Sequence, residues 1–101
     1  KMGKIEEKII NLLNSKLNPS ILKVVNESHM HNVPEGSESH FKLIIVSESF
    51  KNIPTLKRHK IIYKELDNLM DLIHAVSIHP FDEDEYAKNP LTIDTPDCVN
   101  K

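Results

Sequence analysis

The stretch His40-Phe41-Lys42-Leu43-Ile44-Ile45-Val46 constrains this chain more than any other. Successive side chains of a strand point to opposite faces, so Phe41, Leu43 and Ile45 share one face while Ile44 and Val46 make the other apolar too. A strand buried on both faces belongs in the middle of a sheet, with a neighbour on each edge. Its core, Leu43 to Val46, is also the longest apolar run in the chain and falls far short of the roughly 20 residues that span a bilayer. A soluble, sheet-centred protein without a membrane segment is expected.

The neighbours come from the flanks. Ile21 to Glu27 is rich in β-branched residues and sets Leu22 and Val24 on one face, Lys23 and Glu27 on the other, which predicts a half-exposed strand. Between it and the central strand, expected over His40–Ser47, lies the polar segment Ser28 to Ser39 with Pro34-Glu35-Gly36, whose chemistry is that of a turn. The two strands thus read as an antiparallel pair with an unusually long loop, a feature that small scaffolds often use functionally. Ile73 to Ile78 predicts a third strand.

Helices account for the remainder. Ile5, Ile9, Leu12 or Leu13, and Leu17 recur at helical spacing until Asn18-Pro19 stops the pattern. After a connector from Ser49 to Pro54, Thr55 is expected to cap a second helix running to about Leu72, with Leu56, Tyr63, Leu66 and Met70 on or near one stripe. A strand, a helix and a strand in succession imply a right-handed crossover, so the third strand should return parallel to the second. Asp82 followed by Glu85 predicts a capping box on a short final helix around Tyr86. The expected fold is α/β of the α+β kind: α-β-β-α-β-α, a three-stranded mixed sheet with helices packed on one face. At 101 residues there is room for one domain, expected over residues 1–88, and residues 89–101, with two prolines and little periodicity, read as a flexible tail.

Charge and cysteine content narrow the function. A net charge of -2 and a pI near 6.3 remove the overall basic character of a protein that grips phosphate backbones non-specifically. The single cysteine, Cys98, forms no internal disulfide and completes no cysteine zinc site, which suits a reducing compartment. Lys1 stands before Met2, so the start of the chain says nothing about an upstream targeting segment. No nucleophile elbow, P-loop or paired-carboxylate pattern occurs, and Asp82-Glu83-Asp84-Glu85 reads as helix capping and solubility; no enzyme is expected.

Six histidines in so short a chain, His29, His31, His40, His59, His74 and His79, require an explanation. Neutral imidazole ligates metals and titrates near neutrality. His29 and His31 sit in the long loop, where either ring could turn towards an incoming group but a solvated role is the more natural reading. His74 points with Val76 and Ile78 at the start of the third strand, where a histidine often merely edges the core. No spacing fits a complete zinc site. Two histidines make half a site: a 2Fe-2S cluster accepts two on one iron, with sulfur ligands on the other. Those sulfurs would come from another molecule. Lys57-Arg58-His59-Lys60 is a basic run that reads either as a solvated helix face or as a contact for phosphate.

The segment Val25-Asn26-Glu27-Ser28-His29-Met30-His31-Asn32-Val33-Pro34-Glu35-Gly36-Ser37-Glu38-Ser39-His40-Phe41-Lys42 resembles the signature of the BolA-like family. Val46-Ser47 with Phe50, Arg58-His59 with Tyr63, and Ile73-His74-Ala75-Val76 extend the resemblance over about Ile5 to Tyr86. It implies a class II KH-like domain that associates with a monothiol glutaredoxin and shares a 2Fe-2S cluster with it. The glutaredoxin gives a cysteine and a glutathione thiolate. By position, the resemblance assigns the histidine ligands to His74 and to His31, which directly precedes Asn-Val-Pro as the family's loop ligand does. No cluster is then expected in the isolated protein, which should be a monomer that becomes a heterodimer with its partner, in the cytoplasm or the mitochondrial matrix. The implied role is iron-sulfur cluster assembly or trafficking, or iron homeostasis. His40 and His59 also fall on motif positions and read as structural or interface residues, while His29, His79 and Cys98 receive no role. Bacterial BolA is regarded as a transcriptional regulator, which makes DNA binding through Lys57, Arg58 and Lys60 the rival reading. Against it stand the negative net charge and the lack of the GXXG loop with which KH domains clamp phosphates, since Gly3 and Gly36 are the only glycines.

Overall fold

The computed structural model describes residues 2–91. Helix α1, Lys4–Leu17, buries Ile9, Leu13 and Leu17, a stripe at four-residue spacing. Both of its ends are closed by residues distant in sequence. The Glu38 carboxylate accepts the amides of Ile5 (3.3 Å) and Glu6 (2.9 Å), which otherwise lack partners in the first turn. Gly3 precedes the helix because a Cβ there would collide with that carboxylate. At the other end Asn18 adopts a left-handed φ of 43°, and Ser47 Oγ donates to the Leu17 carbonyl at 3.0 Å.

Strand β1, Ile21–Asn26, pairs antiparallel with β2, His40–Val46, which pairs parallel with β3, Ala75–Phe81. The sheet order β1-β2-β3 puts β2 in the centre. Its Phe41, Leu43 and Ile45 meet the buried residues of α1 and of helix α2, Thr55–Leu66, together with Phe50, Ile73 and Ile78. Each such side chain contributes about 1.5–3 kcal/mol by leaving water. Lys42, Ile44 and Val46 of the opposite face are likewise withdrawn from solvent. The α-β-β-α-β-α order and the mixed sheet are those expected. Helix α3, Glu83–Lys88, carries the expected capping box, with Asp82 Oδ1 accepting the Glu85 amide and Glu85 Oε1 accepting the Asp82 amide.

Four local expectations are corrected. Helix α2 ends at Leu66 rather than near Leu72, because Asp67 takes a φ of 38° and the chain tightens into a 3-10 turn over Asp67–Asp71. Thr55 is the first helical residue rather than the cap, and Pro54 precedes it. The buried stripe of α2 is Arg58, Ile62 and Leu66; Leu56 is 70% and Tyr63 41% exposed. Strand β3 starts after His74 and runs on through Pro80 to Phe81. Proline is tolerated there because β3 is an edge strand and needs no donor on its outer side.

Arg58 overturns the idea of a uniformly solvated basic face. It is 5% exposed, donates to the carbonyls of Ile53 (2.7 Å) and Pro80 (3.3 Å), and forks onto both oxygens of Glu85. Its guanidinium lies 5.8 Å from the Phe50 ring centre. The side chain therefore clamps α2 to the outer edge of β3 and to α3. Tyr86 stacks at a tilt on Phe81 (5.6 Å) and its hydroxyl donates to the Leu91 carbonyl. The tail reading beyond Leu91, with Cys98, lies outside the described residues.

Hydrogen bonds from Arg58 hold the Glu85 carboxyl below its ordinary value of 4.5. The contribution of that pair is thus complete above 4.5 and is lost as pH falls through the lower, folded-state value. Glu85→Gln keeps an oxygen for the cap but removes the charge opposite a buried guanidinium. It should cost about 1 kcal/mol in urea unfolding at neutral pH, the scale of a half-exposed pair. The difference from wild type should narrow as the pH falls through the lowered folded-state value. Equal stabilities at pH 7 would contradict the clamp.

Candidate metal-ligating site

The long loop is organised from its first residues. Asn26 Oδ1 accepts the amide (3.0 Å) and hydroxyl (2.6 Å) of Ser28, and Asn26 Nδ2 donates to the Ser37 carbonyl across the loop. Ser28 is buried, and its Oγ accepts the amides of Ser39 (2.9 Å) and His40 (3.0 Å), so the start of the loop is stitched to the start of β2. A 3-10 turn over Ser28–Met30 closes with the His31 amide donating to the Ser28 carbonyl. Further on, Ser37 N–H donates to the Pro34 carbonyl around Gly36, whose φ of 81° no residue with a side chain adopts readily.

These bonds deliver His31 to His40. Their rings stack with centroids 3.7 Å apart and planes 14° from parallel. His74 also lies beside His40, its ring 5.1 Å away and tilted by 40°. The reason lies in the sheet: β2 and β3 are parallel and start at the same end, His40 opposite Ala75, and the Ser39 carbonyl accepts the amides of both His74 (2.8 Å) and Ala75 (3.1 Å). Three imidazoles distant in sequence thus share one rim of the domain.

The three differ in commitment. His40 is half-buried and its Nδ1 is hydrogen-bonded to Ser39 Oγ at 2.9 Å. His31 and His74 are exposed, and among the described residues their ring nitrogens enter no hydrogen bond. A pair of imidazoles with lone pairs to offer fits one half of a 2Fe-2S ligand set. It fits no more than half: among the described residues no group of three His, Cys, Asp or Glu is arranged to hold a metal ion.

The remaining candidates are dispersed. His29 is exposed in the 3-10 turn and does not join the stack. His59 bridges two carbonyls, Thr55 at 2.9 Å and Ile78 at 3.1 Å, a structural tie between α2 and β3. His79 sits within β3 opposite Ile44. Lys57 and Lys60 are exposed on α2, whereas the Arg58 between them is spent internally. A cleft of about 740 Å³ opens between α2, β3 and α3, lined by residues such as Thr55, Arg58, His59 and Phe81, and includes none of the three rim imidazoles.

Sequence reasoning passed over His40 as part of the cluster. The signal was present: of two parallel strands, one begins at His40 and the other just after His74, which sets those histidines side by side. Partial desolvation, and then the proximity of His31 and His74, push the His40 pKa below its ordinary 6.5. Its neutral form is the one the folded state favours, so its contribution holds above 6.5 and is lost as pH falls through the lowered value. In a nitrogen-detected NMR titration His40 should titrate below 6.5, and His31→Ala should move it part of the way back. A His40 that titrates at or above 6.5 would contradict the partial desolvation and the neighbouring imidazoles assigned to it.

A family model described as BolA-like protein matches residues 13–85. The chain is 44% identical over 93 residues to a BolA-like protein of Dictyostelium discoideum, covering 90% of this chain and 82% of that one. It is 41% identical over 97 residues to the DNA-binding transcriptional regulator BolA of Vibrio cholerae, covering 94% and 92%. The solution structure of BolA1 from Mus musculus superposes with a TM-score of 0.82 at 34% identity, covering 96% of this chain and 80% of that one.

Proposed function

The chain belongs to the BolA-like family, and from that premise we propose that it is a non-enzymatic partner of a monothiol glutaredoxin that lends His31 and His74 to a 2Fe-2S cluster held in common. The observation that carries this reading is the shared rim: two exposed imidazoles with uncommitted nitrogens, both beside His40, and no group of three potential ligands arranged to hold a metal ion among the described residues.

An incomplete ligand set holds metal poorly. A second protein that brings the thiolates, its own cysteine and a bound glutathione, completes the set, and cluster binding then becomes coupled to association. Imidazole in place of thiolate raises a cluster's reduction potential and ligates only when neutral. Such a protein serves iron-sulfur cluster assembly and trafficking or iron homeostasis by passing on, or sensing, a cluster held between two chains.

Adding the protein to a cluster-loaded monothiol glutaredoxin should change the visible absorption and circular dichroism up to one equivalent. His74→Ala and His31→Ala should abolish the change, and His29→Ala should leave it intact. Persistence of the wild-type spectrum in both of the first two variants would dismiss the assignment.

The name borne by the Vibrio cholerae relative favours a second reading, DNA binding. With Arg58 buried in an ion pair, it rests on Lys57 and Lys60 alone among the three cations considered. Duplex binding at about 0.15 M salt that weakens in Lys57→Ala and Lys60→Ala would support it. No binding under those conditions would remove it.

A further inference from the structure

We propose that His40 is a positioning residue: the strand-anchored ring against which the loop imidazole of His31 is held in register with His74. The inference rests on the ligand reading above and goes beyond it, because it gives the third imidazole a task that is not ligation.

His40 is the most firmly held of the three rings. Its amide donates to Ser28 Oγ (3.0 Å), its carbonyl accepts the Glu27 amide (2.8 Å), and its ring is hydrogen-bonded to Ser39 Oγ. Backbone and side chain are thereby fixed together at the first residue of a central strand. His31, by contrast, is exposed in a loop, with its amide tied back only to the Ser28 carbonyl of the same turn. A ring on such a segment samples several rotamers unless something flat confines it. The face of His40, 3.7 Å away and within 14° of parallel, does so.

The residue before it holds the backbone of the other partner. Ser39, whose hydroxyl orients His40, also accepts the amides of His74 and Ala75 through its carbonyl. The Ser39-His40 pair therefore sets both imidazoles from one short piece of backbone. His40 is poorly placed to be a ligand itself. One nitrogen is engaged by Ser39, one face is covered by His31, and its edge is half-buried, whereas the two outer rings are open. Residues that orient metal ligands typically change affinity by about 10–100-fold when removed.

Two variants separate stacking from ligation. His40→Ala removes the face, and His40→Phe keeps a flat ring but has no nitrogen to give. In the protein alone, the ring-current shift on the His31 ring protons should be present in wild type and His40→Phe and lost in His40→Ala, with the amide spectrum reporting that both variants fold. With a cluster-loaded monothiol glutaredoxin, His40→Ala should weaken the mixed complex about tenfold or more, and His40→Phe should restore most of that. A ring-current shift unchanged in His40→Ala would overturn the proposal. So would a His40→Phe complex as weak as that of His40→Ala, since His40 would then be needed for its nitrogen. If His31→Ala and His74→Ala leave the complex intact, the ligand reading fails, while the shift in the protein alone still reports whether His40 holds His31.

Discussion

Ser28 Oγ accepts the amides of Ser39 and His40, and the Ser39 carbonyl accepts those of His74 and Ala75. These four hydrogen bonds tie the long loop, the central strand and the parallel edge strand at one corner of the domain. Each donor belongs to backbone that would otherwise emerge unpaired from the end of a strand. A buried serine therefore does more than close a turn. It determines where a twelve-residue excursion from Ser28 to Ser39 begins and ends, and so where the imidazole that rides on it arrives.

The opposite corner is held by different physics. Along the outer edge of β3 the Ile78 and Pro80 carbonyls accept from His59 and Arg58 of α2, and Glu85 of α3 neutralises Arg58. Side chains of a neighbouring helix thus occupy acceptors that an exposed edge would offer to another chain, and Pro80 withholds a donor. Two of the histidines and cations that look alike in sequence, His59 and Arg58, are consumed in this way. His31 and His74, by contrast, are exposed at the rim, with ring nitrogens that enter no hydrogen bond among the described residues.

The overall fold was legible because it follows from periodicity and chirality. The two-sided apolar pattern of His40–Val46 places that strand centrally, and a strand-helix-strand run leaves a parallel return as the sole common option. The Asp82 and Glu85 capping box was equally plain. Residue-level packing on α2 was not. Leu56 and Tyr63 are apolar enough to seem core residues, yet the inward position four residues before Ile62 goes to Arg58 because carbonyls and a carboxylate there satisfy its donors. Burial of a charge depends on partners distant in sequence, which periodicity does not reveal. The ends of α2 and β3 shifted for a related reason: the positive φ of Asp67 and the edge position of Pro80 are tertiary outcomes.

The candidate site was half legible. His31 and His74 were chosen through resemblance, and the geometry sets both on one rim; His40, the ring between them, emerges from strand register. The central claim is that two imidazoles of this protein ligate iron in a cluster whose other ligands come from a second chain. It is tested most directly by labelling only this protein with nitrogen-15 histidine, reducing the mixed complex, and recording electron-nuclear couplings of the cluster. Couplings to two labelled nitrogens, both gone in the His31→Ala, His74→Ala double variant, are the predicted result. A cluster with no labelled nitrogen coupled to it, or couplings that survive in the double variant, would contradict the account.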